Sequence, residues 1–122
     1  MPRFCFVLLC VLGLTPGPGW AAQPISLHAR SAGDLAALCA ADPGSPAADA
    51  KINYCHGYAQ GAVDARMRFA GDQKPFCFPN PTPPRSATMK EFVAWVRSVP
   101  ANRDQSAQDG LFKFLGERFP CK

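Results

Sequence analysis

The sequence predicts a small all-α domain: four helices arranged as two helical hairpins and held by disulfides. Three observations carry that expectation. Apolar residues recur at three- and four-residue steps in four segments, and no segment shows the sustained alternation with turn chemistry that a sheet needs. With 122 residues the chain is expected to hold one domain, which argues against a multidomain enzyme. Six cysteines include four, Cys39, Cys55, Cys77 and Cys121, that lie well beyond the N-terminal apolar run. The net charge of +4 is spread without a basic run, so it favours solubility and gives no nucleic-acid footprint.

The first element is a targeting segment. Arg3 precedes the apolar run Phe4 to Leu14, and a Thr-Pro-Gly-Pro-Gly breaker separates that run from Ala21 and Ala22. This is the layout of a secretory signal peptide over residues 1–21, cleaved after Ala21 or Ala22. The apolar run is too short to span a hydrocarbon layer of about 30 Å as a helix. Leu9, bulky before Cys10, argues against lipid attachment. The exported domain, residues 22–122, then meets an oxidising compartment where four cysteines are expected to form two disulfides.

The first helix is expected at about 31–41. Ser31 is its N-cap, Asp34 stands three residues later, and Leu35, Leu38 and Cys39 follow at helical spacing. After Asp42-Pro43-Gly44, Ser45 before Pro46 marks the start of the longest helix, running to about Ala70. Its apolar stripe reads Ala48, Ile52, Cys55, Ala59, Ala62, Val63 and Phe69. Gly57 and Gly61 each cost roughly 1 kcal/mol against Ala in a helix interior, so they are expected where another backbone comes close, in this domain or in a second copy.

Residues 71–86 carry five prolines between Pro75 and Pro84, which no helix survives. A stiff, extended loop is expected there, pinned by Cys77, and loops of this length are commonly functional. Thr88 with Glu91 suggests a capping box for the third helix, with Ser86 as an alternative start, and Met89, Phe92, Val93, Val96 and Val99 trace its stripe. The fourth helix, about 103–118, opens after Asn102 and continues through Ala107, Leu111, Phe114 and Leu115 to Pro120.

Four cysteines allow three pairings, and sequence by itself leaves all three open. Helix geometry ranks them. An antiparallel hairpin of the first two helices sets Cys39 opposite Cys55, and a second hairpin returns Cys121 to the start of the third helix near Cys77.

Chemistry finds little support. Four Cys with His28 and His56 lack any CxxC spacing for zinc, and Cys55-His56 supplies only the tail of a haem-attachment motif. His56 and Asp64 lie two helical turns apart, too far for a direct hydrogen bond. Glu91 and Glu117 suit caps and solvated faces better than paired acid–base work. No catalytic residue, metal or cofactor is therefore assigned. The proline loop is the candidate protein-binding surface: Lys74, Phe76, Phe78 and Arg85 are interleaved with its prolines, and a stiff loop loses little entropy on docking. Filling the edge of the core is the competing role for the two Phe rings. Arg103, in the turn Pro100 to Asp104, is a second candidate contact.

The order of short motifs supports a family resemblance. SAGDLAALC at 31–39, CHGYAQGAVD at 55–64, FCFP at 76–79, EFVAWVRSVP at 91–100 and FPC at 119–121 together resemble the Rap/Tai immunity proteins. That resemblance implies an all-α fold, a capacity to dimerise and no chemistry of the protein's own. It implies a periplasmic antidote that binds a type VI secreted peptidoglycan amidase and blocks its cleft. A small periplasmic chaperone holding unfolded clients is the alternative, though nine acids and two His leave limited scope for an acid-driven charge switch.

Overall fold

The computed structural model describes residues 24–122 together with Gly17 and Gly19, so the expected signal peptide lies outside the described residues. It contains five helices: α1 (Ala32–Cys39), α2 (Ala48–Phe69), α3 (Arg85–Ser98), α4 (Pro100–Arg103) and α5 (Ala107–Arg118). Among the described residues the only sheet-like feature is an isolated antiparallel bridge between Ser31 and Ser106. The all-α class follows.

α1 begins as its capping box requires. Ser31 Oγ accepts from Asp34 N at 3.1 Å, and the Asp34 carboxylate accepts from Ser31 N at 3.0 Å and Arg30 N at 3.1 Å. Those backbone donors, Ser31 first and then Arg30, hold the Asp34 carboxyl below its ordinary range. Eight residues make α1 the second-shortest helix, yet it packs against each of the other four. Ala32 and Leu35 on it are fully enclosed. The two expected hairpins, α1–α2 and α3–α5, are therefore present but share α1 as a common centre.

Close approach explains a glycine at one crossing. A Cβ on Gly110 would stand 2.6 Å from the Cβ of Ala32, so α5 can reach α1 only with glycine there. Backbone bonds reinforce the junction: Ala32 N donates to Gln105 O at 2.9 Å and Ala107 N to Arg30 O at 3.0 Å. Gly57 and Gly61 behave differently. Both are exposed and a Cβ on either would meet nothing within 4 Å, so no backbone among the described residues uses the room they leave.

Three helix starts depart from the sequence reading, each for a hydrogen-bonding reason. Ser45 Oγ donates to Asp42 O at 2.7 Å, closing the preceding turn, and α2 opens instead after Ala47, which takes a left-handed conformation with φ of 60°. Thr88 lies inside α3, its Oγ1 donating back to Pro84 O at 3.4 Å, so it forms no box with Glu91 and the helix starts at Arg85. The fourth expected helix is two. Pro100 opens the single turn α4, and α5 starts only after Ser106, whose Oγ accepts from Asp109 N at 3.1 Å.

The core is one cluster with Leu35, Cys55, Phe76, Phe92, Leu111 and Leu115 at its centre. Cys39–Cys55 ties α1 to α2 and Cys77–Cys121 ties the proline loop to the segment after α5, the pairing that hairpin geometry ranked first. Trp95 Nε1 donates to Glu117 Oε2 at 2.7 Å and Arg118 pairs with Glu91, so both carboxylates tie α3 to α5. The Arg118 hydrogen bond keeps the Glu91 carboxyl below its ordinary range.

Candidate protein-binding face

The loop between α2 and α3 is held at its first half. Cys77 N donates to Phe119 O at 2.8 Å beside the Cys77–Cys121 bridge, and Phe76 is fully enclosed. Its ring packs edge-on against Phe78 at 5.6 Å and near Phe112 at 6.1 Å, while Phe78 sits 5.1 Å from Phe119. Phe76 is thus the loop's anchor, and the expectation that it offers a surface contact is corrected: its ring is spent on the core. Phe78, half-buried, keeps part of its ring outward.

Beyond that anchor the loop borders an apolar groove of about 310 Å³. One wall is α2, through Ala59, Val63 and Met67. The other is made by Phe78, Thr82 and Pro83 of the loop with Arg85 and Met89 of α3, over a floor of Leu111 and Leu115 from α5. Polar groups stand at the rim. Gln60 Nε2 donates to Asp64 Oδ1 at 2.7 Å, whereas Arg85 forms no ion pair among the described residues. Thioether and aliphatic walls with one free guanidinium suit apolar side chains carried by an acidic or polar partner segment.

The candidate residues separate into three places. Phe78 and Arg85 meet at the groove. Lys74 is exposed on the same loop but does not line it. Arg103 lies in a different recess, of about 370 Å³, bounded by Gly33, Ala36, Ala37, Val96, Arg97 and Pro100. There α4 sits so close to α1 that a Cβ on Gly33 would come within 3.3 Å of Arg103 O. Sequence reasoning missed Met67 as a wall residue and read Val63 and Met89 as core stripe alone. The available signal was the stripe's width, since Ala59, Val63 and Met67 recur four apart along one edge of α2.

A family model of Rap1a immunity proteins matches residues 31–121, from the cap of α1 to the last bridged cysteine. No curated protein and no solved structure matches the chain. Among the described residues no helix is long and apolar enough to cross a membrane. With its all-α fold and both hairpins stapled, and with a family match that spans every helix, the chain belongs to the Rap1a immunity protein family.

Proposed function

We propose that this immunity protein acts in the periplasm, where it binds a type VI secreted peptidoglycan amidase and blocks its active-site cleft. The family match over residues 31–121 carries the reading. The layout of residues 1–21 as a signal peptide cleaved near Ala21 or Ala22 supports export, as do two disulfides in a chain of this size. The stiff loop supports the mode of action. Lys74, Phe78 and Arg85 sit on a segment fixed by a bridge and a buried ring, so docking orders little that is not already ordered. Arg103, in its separate recess, is a contact only for a partner large enough to reach both faces. The protein supplies surface and the partner supplies the chemistry.

The test is a purified pair. A small cysteine–histidine amidase encoded by the neighbouring reading frame should form a one-to-one complex with the exported protein, or two-to-two if the chain pairs with itself. Peptidoglycan hydrolysis should stop in that complex. An amidase that stays fully active when saturated removes cleft occlusion, and one that never binds removes the assignment of target. N-terminal sequencing of the exported chain should begin at residue 22 or 23.

A further inference from the structure

One face of α2 outruns the body beneath it. Cys55, Ala62 and Phe69 are seven residues apart, so they lie on the same side of the helix. Burial fades along that line: Cys55 is fully enclosed, Ala62 is half-buried, and Phe69 is 82% exposed. At 1.5 Å per residue the ring stands roughly 20 Å along the axis from the Cys39–Cys55 bridge, just past Met67, the last α2 side chain that packs on the core. The apolar stripe thus continues past the last packing contact that α2 makes with the core among the described residues. Gly71, at φ of 55°, then turns the chain back at once.

The sequence on either side of that ring is cationic. Arg66, Arg68 and Lys74 are all exposed, against Asp72 as the one acid between residues 65 and 75. Among the described residues none of the three cations forms an ion pair, and Arg66 lies 6.0 Å over the Phe112 ring. An exposed Phe with exposed arginines one and three residues before it matches residue types enriched at protein interfaces. Two copies meeting tip to tip would oppose the same charges, which argues against self-association here.

We infer that the end of α2, with Phe69 as anchor and Arg66, Arg68 and Lys74 around it, is a docking point for an apolar pocket with an acidic rim on the secreted effector. This deepens the reading above and rests on it. It also gives Lys74 a place, since that residue follows Phe69 by five positions and does not line the groove.

Binding of the purified full-length mature protein to the neighbouring-frame amidase, by titration calorimetry, tests it. Phe69→Ala should weaken binding about thirtyfold or more, with circular dichroism and melting temperature unchanged because the ring is exposed. Arg66→Glu with Arg68→Glu should weaken it further and flatten its salt dependence. If the wild type binds and Phe69→Ala binds equally well, the tip is overturned while the proposed function stands. If the wild type does not bind, both fall. Wild-type binding to vesicles containing phosphatidylglycerol, lost in Phe69→Ala, would transfer the tip to a lipid surface and overturn the inference. So would a concentration-dependent dimer that Phe69→Ala abolishes.

Discussion

Phe76 and Phe78 flank Cys77 and their rings pack edge-on at 5.6 Å, yet only Phe76 is fully enclosed in the core. That difference in depth separates two kinds of loss. Phe76→Ala should cost about 3–5 kcal/mol of stability, read from urea unfolding, because it empties the position that seats the loop. Phe78→Ala should leave a folded protein and instead weaken effector binding by about 2 kcal/mol, read by calorimetry. Asp34 gives a second prediction at this scale. Its carboxylate is held low by backbone donors from Ser31 and Arg30, so the charged form is the stabilising one. That contribution is complete above the ordinary value of 3.8 and fades as pH falls through the lower folded value. Asp34→Ala should therefore be less stable than wild type at neutral pH, and the gap should narrow on acidification in parallel urea titrations.

Glycines on different helices carry opposite signs. Propensity alone says that Gly→Ala inside a helix gains up to about 1 kcal/mol. On α2 no atom of the described residues opposes this, so Gly57→Ala and Gly61→Ala should each raise the melting temperature of the isolated protein. On α5 the new methyl of Gly110→Ala would collide with Ala32, and overpacking of about 1–3 kcal/mol outweighs the gain. Its melting temperature should fall. The helices themselves were legible in the sequence, because an apolar stripe and a capping box such as Ser31 with Asp34 act locally. Their starts were less so. Ser45 and Thr88 have the right hydroxyl for a cap, but each spends it as a donor to a carbonyl three or four residues back, a choice set by the turn it occupies. In the candidate site, the loop's proline content announced stiffness, whereas which Phe would sink depended on how the aromatic rings of α5 and Phe119 close beneath it.

For the whole molecule the staples set the margin. In the chain-entropy model, closures spanning 16 and 44 residues contribute roughly 3 and 4 kcal/mol, against a total of about 5–15 kcal/mol for ordinary domains. Reduction at neutral pH should lower the thermal midpoint sharply or abolish the transition, and should expose the loop to proteolysis first, because Cys77 is its covalent tether. Circular dichroism melts with and without reductant check this. The overhang of α2 belongs to this scale as well. Periodicity reports the side of a helix that is apolar and carries no information about where the supporting body ends, so Phe69 read as core until the other helices were in place.

The position of α1 has a consequence in time. An eight-residue helix does not persist by itself, and although α2 and the Cys39–Cys55 bridge support this one from nearby in the chain, part of its support comes much later, from Gln105 and Gly110. A growing polypeptide therefore reaches its first helix early and keeps it late. Until residues beyond 105 have been made, α1 lacks the hydrogen bond to Gln105 and the close crossing at Gly110, so its last contacts close only near the end of synthesis.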